Sequence, residues 1–471
     1  MVGRIEERKT LERLLNSQES EFLAIYGRRR VGKTYLVRET FEGRFAFEHT
    51  GAANTTNRRQ LMLFFDSLKK HGYEGRKSPK NWFGAFEMLS QTLAAKECLQ
   101  RKIVFIDELP WMDAPKSDFL PALEYFWNSW AAARKDVFFI ICGSATSWIV
   151  KCIFKNKGGL HNRVTARICL QPFTLGECEK LAEENGLAMS RMDIAECYMA
   201  LGGIPYYWRN LERGLSLAQN FDKLFFAKGA LLKTEFKELY SSLFRNSELY
   251  MKIVSALAMR KSGLLQAEVS AALGTRLSGK ISAALDILEE SGFIRTYRSF
   301  GKRKRGRFYQ LIDNFTLFHF RFLEGRTDDD SFWTSTALSS VQAVWRGLAF
   351  ERLCLQHVQQ MRNALGIRGV HMETYGWRHE GNDVYPKGVQ IDLILDRADG
   401  IVNICEMKYS KGEYPIDSDV ANELIRKAET FKSVTGTNKA VHITLVTSKG
   451  IAANTYANTI QSQITLDDLF G

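Results

Sequence analysis

Hydrophobic positions along the 471-residue chain follow three successive rhythms. In the first part, short apolar runs at residues 22–26, 103–106 and 137–142, and strand-like stretches at 45–50 and 167–170, alternate with longer stretches of helical spacing. Leu11, Leu14 and Leu15 mark one such stretch, and residues 58–72 and 82–100 carry two more. Runs that are apolar throughout, rather than at every second position, predict strands of a parallel sheet covered on both faces. After helical connecting structure at residues 211–248, the second part reads as helices at 249–259, 266–273 and 278–291, then strands at 293–298 and 307–312. The third part opens with a helix at 345–361. It continues into strands at 389–395 and 401–408, joined through the Asp399-Gly400 turn. The expectation is a multidomain α/β chain with segments at 1–210, 211–324 and 335–471. Residues 325–330 (GRTDDD) form the linker, and the aromatic stretch at 313–322 packs between domains.

The first strand runs into Gly27-Arg28-Arg29-Arg30-Val31-Gly32-Lys33-Thr34, and a helix follows. This is the G-x-x-x-x-G-K-[ST] phosphate loop in its strand–loop–helix setting. The two glycines let backbone N–H groups turn toward phosphate oxygens, and the helix N-terminus favours the anion. Lys33 reaches the β- and γ-phosphates of ATP, and the Thr34 hydroxyl ligates Mg²⁺.

A second polar pair ends the run at 103–106. Strand-end residues face the ligand crevice of a parallel sheet, so Asp107 is placed to hold Mg²⁺ through water and Glu108 to polarise the attacking water. A helix N-cap accounts for an Asp-Glu pair equally well in isolation. Ser144, after the strand at 137–142, is placed to sense the γ-phosphate. Arg163, in the loop GGLHNR, either stabilises charge on the transferring phosphoryl group or is a surface arginine.

With GRRRVGKT, FIDELPW, CGSA, LHNR, LGGIPYY and the opening VGRIEE, the chain resembles the prokaryotic AAA-type ATPases called the archaeal ATPase family. The resemblance implies a P-loop ATPase core with parallel strand order 5-1-4-3-2. It also implies Glu108 as the residue that activates water, Ser144 as sensor 1 and Arg163 as the arginine finger.

In the second segment, Gly274 and Thr275 turn between two helices, and a hairpin follows, as in a winged helix. Its loop is Lys302-Arg303-Lys304-Arg305, flanked by Arg295, Arg298 and Arg307. Such a wing either contacts DNA phosphates or is a solvated hairpin on an adaptor. In the third segment, Asp392 lies on one strand, and Glu406 and Lys408 share a face of the next. Two carboxylates beside a lysine suit a divalent metal and a nucleophilic water. Alternating charges on a solvated strand face explain E-x-K equally well. The arrangement resembles the PD-(D/E)-x-K restriction-endonuclease-like fold, which implies that Glu351 is the acid of its first helix. Ile391 stands where that pattern has proline.

Composition narrows these readings without redirecting them. Hydrophobic residues make up 45% and charged residues 25%, as in ordinary globular chains. A net charge of +12 permits attraction to nucleic acid or anionic surfaces, and a basic protein with no such partner accounts for it equally well. The charged start MVGRIEERK lacks the apolar core of a secretory signal, and eight scattered cysteines without C-x-x-C argue against a disulfide framework or zinc ribbon. The expectation is a cytoplasmic ATPase using ATP and Mg²⁺, with no membrane association. DNA is a partner through the winged helix and C-terminal domain, and a homo-oligomer is possible. Hydrolysis drives a conformational change coupled to a nucleic-acid-binding or nuclease-like C-terminal domain. Alternatively, ATP binding switches a module that holds nucleic acid or a partner without cutting.

Overall fold

The computed structural model describes the chain except residues 97–100, 156, 157, 161, 245, 302–305 and 327. The basic run Lys302 to Arg305 therefore lies outside the described residues. The chain divides into two compact units, Met1–Pro172 and Phe173–Gly471.

The first unit is built on α1 (Ile5–Leu15), β1 (Glu21–Tyr26), α2 (Lys33–Thr40), β2 (Phe45–Thr50), α3 (Asn57–Lys70), α4 (Trp82–Ala94), β3 (Lys102–Asp107), α5 (Phe119–Phe126), β4 (Val137–Cys142), α6 (Thr146–Trp148) and β5 (Ala166–Cys169). The strands pair in parallel in the order β2-β3-β4-β1-β5, which is the expected 5-1-4-3-2. Every residue of β3 and β4 is buried, which is why their sequences are apolar without alternation. The one cation in β3, Lys102, is neutralised by Asp136 at the base of β4. An aromatic layer of Phe22, Phe64, Trp82, Phe86, Phe119, Phe126, Trp127 and Phe139 fills one face of the sheet. Thr56 and Asn81 cap α3 and α4 by accepting from backbone N–H groups of the first turn. The helix expected to run to residue 100 ends at Ala94, and residues 97–100 of that expectation lie outside the described residues.

The second unit contains two smaller sheets. Helices α7 (Leu175–Glu184), α8 (Arg191–Leu201), α9 (Pro205–Trp208), α10 (Leu217–Phe221) and α11 (Glu235–Leu243) lead into α12 (Ser247–Ala258). Next come β6 (Leu264–Leu265), α13 (Gln266–Ala272), α14 (Gly279–Glu290), β7 (Ile294–Arg298) and β8 (Arg307–Leu311). These three strands form an antiparallel sheet in the order β6-β8-β7. The aromatic stretch folds as α15 (Asn314–Phe318) with a wider turn after it, and it packs inside this unit. Phe318 meets Phe225 at 4.5 Å and Trp345 at 5.7 Å between ring centroids. Of the expected linker, residue 327 lies outside the described residues; at its end Asp329 N–H donates to Phe226 O and Lys228 N–H donates to Asp330 Oδ1.

After α16 (Phe332–Ser335) come α17 (Ser340–Gln356), α18 (Val358–Ala364), β9 (Met372–His379), β10 (Val389–Arg397), β11 (Ile401–Lys408), α19 (Ser418–Thr435), β12 (Ala440–Thr447) and β13 (Ser462–Thr465). The sheet order is β13-β12-β11-β10-β9, antiparallel from β9 to β11 and parallel from β11 to β13. The single helix expected at 345–361 is split at His357. That imidazole accepts from Leu175 N–H through Nε2 at 3.0 Å while Nδ1 donates to Leu353 O at 2.8 Å.

Candidate functional site

The carboxyl ends of β1, β3 and β4 bring the expected nucleotide-site residues together. Gly27 leaves β1 at φ +129°, and a Cβ there would lie 2.5 Å from Leu170 O, so only glycine fits. Arg28, Arg29, Arg30 and Val31 complete the loop, with Arg30 left-handed at φ 68° and Gly32 at φ 93°. The N-cap of α2 is Gly32, which makes no side-chain cap hydrogen bond, and an uncapped helix start suits an anion.

Lys33 opens α2 and is buried, its Nζ donating to Gly27 O at 3.0 Å and Arg28 O at 2.7 Å. Burial pushes its ammonium below the usual lysine range, with Cys142, Glu108 and Asp107 pulling the other way. Thr34 Oγ1 donates to Asp107 Oδ2 at 2.8 Å, although the two residues lie far apart in sequence. A hydroxyl and a carboxylate at hydrogen-bonding distance form a hard-oxygen pair that suits Mg²⁺.

Glu108 takes a left-handed backbone at φ 47°, an uncommon conformation for a residue with a side chain. Its N–H donates to Asp107 Oδ1 at 2.9 Å. Its Oε2 accepts from Ser144 N at 3.2 Å and Ser144 Oγ at 3.0 Å. Glu108 and Ser144, from adjacent strands, are thereby one hydrogen-bonded pair. Arg163 is exposed in the turn before β5, where its N–H donates to Leu160 O. It shares none of these contacts.

Two further residues shape this site, and sequence reasoning gave them no such role. Arg4 is buried and donates to Val31 O at 3.0 Å and Gln171 O at 2.8 Å, fastening the phosphate loop to the segment after β5. The opening VGRIEE marked the segment but not this bond. Gln60 is fully buried and bridges Ala52 O at 2.6 Å to Trp111 O at 2.7 Å, holding the loops that follow β2 and β3. A polar residue inside an amphipathic helix carries no signal for such a bridge.

In the second unit, the register of Leu393 opposite Cys405 places Asp392 and Glu406 side by side at one end of the β10–β11 hairpin. Glu351 reaches the same place from α17. Lys261 Nζ lies 2.7 Å from Glu351 Oε1 and 3.5 Å from Asp392 Oδ2. Glu406 pairs with Lys408 at 2.9 Å and Lys427 at 2.8 Å. Burial, and then the charge of Asp392, raise the Glu351 carboxyl above the usual range. The four expected residues are therefore neighbours, and the three acids among them are ion-paired with Lys261, Lys408 and Lys427. Among the described residues, no three His, Cys, Asp or Glu side chains enclose a metal position. No helix is long and apolar enough to cross a membrane among the described residues.

Comparison with known proteins adds the family-level result. Residues 1–211 match the family described as an ATPase domain predominantly from Archaea. The uncharacterized protein MJECL04 of Methanocaldococcus jannaschii is 25% identical over 395 residues, spanning 81% of this chain and 83% of the relative. Among solved structures, the Walker-type ATPase PABY2304 of Pyrococcus abyssi is similar, with TM-score 0.49 and 17% identity, covering 68% of this chain and 96% of that one. The Aeropyrum pernix ORC2 protein, solved as ADPNP–ADP complexes, has TM-score 0.40 and 13% identity, with coverage of 72% and 94%. The match over residues 1–211 makes this protein an ATPase.

Proposed function

We propose that ATP is bound and hydrolysed at the ends of β1, β3 and β4, and that hydrolysis drives a conformational change controlling the C-terminal sheet domain. The Thr34–Asp107 contact at 2.8 Å, with Glu108 next in the chain, carries this reading. The loop from Gly27 to Thr34 cradles the phosphates, and Lys33 exchanges its carbonyl partners for phosphate oxygens. Thr34 and Asp107 would hold Mg²⁺, which when bound offsets charge on the phosphates. Glu108 orients the attacking water, Ser144 holds Glu108 until the γ-phosphate offers a better partner, and Arg163 is the candidate arginine finger. Multiple-turnover phosphate release tests this. Glu108→Gln is expected to retain ATP affinity while turnover falls at least about 100-fold, the scale of a lost general base. Wild-type turnover in that variant would remove Glu108 from the role.

In this reading the segment from α12 to β8 is a winged helix and the last segment is restriction-endonuclease-like. Asp392 and Glu406 would hold a divalent metal, helped by Glu351, and Lys408 would orient water. Glu351 Oε2, buried and without a hydrogen-bond partner, fits such a group. DNA is the proposed partner of both parts, and a homo-oligomer remains part of the proposal. The lysines already paired with all three acids favour a second reading, in which the domain holds nucleic acid without cutting it. Cleavage of single- or double-stranded DNA with Mn²⁺, lost in Asp392→Ala, separates the two.

A further inference from the structure

Glu108 leaves β3 with a left-handed backbone at φ 47°, which is unfavourable for a residue with a side chain. Such a conformation persists only where the surroundings over-determine it, and neighbouring loops grip this turn closely. Gly51, the residue after β2, donates its N–H to Asp107 O at 2.9 Å, and a Cβ there would lie 2.5 Å from Glu108 O. A Cβ at Gly143, the residue before Ser144, would lie 2.7 Å from Pro110 Cδ. Trp111 N–H donates to Glu108 O at 3.0 Å and closes the turn, so Trp111 O takes its partner from another element.

That partner is Gln60, on α3. The side chain is fully buried, and every hydrogen-bonding group of its amide is engaged on the two loops. Nε2 donates one proton to Ala52 O at 2.6 Å and the other to Trp111 O at 2.7 Å, while Oε1 accepts from Ala52 N–H at 3.2 Å. A methionine would fill the same space without the desolvation cost of a buried amide, so what the amide adds is these three bonds. None of them involves the phosphate loop or the Thr34–Asp107 pair. Farther along, Asp113 is held separately, by Trp148 Nε1 at 2.9 Å.

We propose that Gln60 is a positioning residue for ATP hydrolysis: by tying Trp111 to the loop after β2, it keeps the Glu108 backbone left-handed and its carboxylate in place beside the attacking water. The proposal rests on the reading of Glu108 as the residue that orients that water. Without the amide, Trp111 O and both backbone groups of Ala52 lose their partner, and the turn relaxes toward ordinary backbone angles. Glu108 then shifts relative to phosphates that Lys33 and Thr34 still hold. A displacement of about 1 Å costs on the order of 100-fold in rate, so hydrolysis suffers while nucleotide binding does not.

The test is steady-state phosphate release by the full chain across ATP concentrations, well below the Tm of each variant, with folding checked by circular dichroism. Gln60→Met keeps the apolar stem and removes all three bonds. Its kcat is expected to fall at least about tenfold, with KM and the ATP-induced rise in Tm close to wild type. Leu68→Ala, a truncation of a buried residue in the same helix, should lower Tm but keep kcat within about twofold. In a Glu108→Gln background, Gln60→Met should cost less than about twofold more, because the group it positions is already gone. Gln60→Glu keeps the shape of the amide and should lose turnover relative to wild type as pH rises, since only the protonated acid donates to Trp111 O. Wild-type kcat in folded Gln60→Met overturns the inference. So does an equal loss in Leu68→Ala, an undiminished loss in the Glu108→Gln background, or a Gln60→Glu pH profile parallel to wild type. If Glu108→Gln itself turns over ATP at the wild-type rate, the reading of Glu108 falls instead.

Discussion

Lys33→Met isolates what the phosphate loop's cation does. In the resting site Lys33 gives two hydrogen bonds to carbonyls of its own loop, and burial disfavours its charge. Methionine keeps the apolar stem and removes both the bonds and the buried charge, so the nucleotide-free unit should stay within about 1 kcal/mol of wild type. ATP binding is affected differently, because a charge-assisted bond to phosphate worth about 1.5–3 kcal/mol disappears. That weakens affinity by about 10- to 150-fold. At ATP 100 times the wild-type Kd, ligand binding stabilises the folded state by about 2.7 kcal/mol, and a 100-fold weaker variant retains about 0.4 kcal/mol. For a unit of this size the ATP-induced rise in Tm should drop from about 5–10 °C to about 1–2 °C. Differential scanning calorimetry with and without Mg²⁺–ATP reads both quantities. An undiminished ATP shift in a folded Lys33→Met protein would refute the assignment. A nucleotide-free Tm lower by more than about 4 °C would mean that the lysine is structural instead.

Gly27→Ala places a methyl 2.5 Å from Leu170 O at φ +129°, so the loop or β5 must move. The expected cost is at least about 2 kcal/mol, seen as a lower urea midpoint for the first unit, and an unchanged midpoint would contradict the close approach. His357 is held neutral by burial, its pKa pushed down to about 4 despite its bond to Leu353 O. Between pH 6.5 and 4 the unfolded chain takes up the proton first, so stability present above pH 6.5 is lost as pH falls, by about 3 kcal/mol at pH 4. His319 is pushed down to about 4 by burial and adds a loss of the same sign. His357→Gln, which can still accept from Leu175 N–H, should therefore remove about half of the acid slope in urea titrations of the second unit. An unaltered slope would place the titration elsewhere.

The candidate nucleotide site was legible because its parts are local and its sheet is regular. GRRRVGKT is contiguous, and continuous apolar runs set the strand limits closely enough that Asp107 and Ser144 fall at strand ends. Parallel pairing of β3 with β4 then puts Glu108 beside Ser144 without any sequence signal linking them. Arg4 and Gln60 were not legible in the same way, because their partners are backbone carbonyls, and every residue has one. The break at His357 illustrates a tertiary contact overriding helical spacing. The residue leaves the helix where its ring meets Leu175 N–H.

The second unit was legible by element and much less by function, and Lys261 gives the reason. Apolar spacing placed β10 and β11, and with them Asp392 and Glu406. Spacing within one strand cannot report which cation arrives from another module. Sequence paired the acids with Lys408, two residues from Glu406, and that ion pair is present at 2.9 Å. The cation against Glu351 and Asp392 comes instead from the turn after α12, 90 and 131 residues upstream (351 − 261 and 392 − 261). That turn lies beside the hairpin because Arg295, Gln310 and Arg352 bind it and Asp392 through backbone carbonyls. A shift of the three-stranded module relative to β10 would withdraw Lys261 and expose two like charges at once. The acid pair is thus coupled electrostatically to the position of a neighbouring module, a coupling that a motif search of either segment alone would miss.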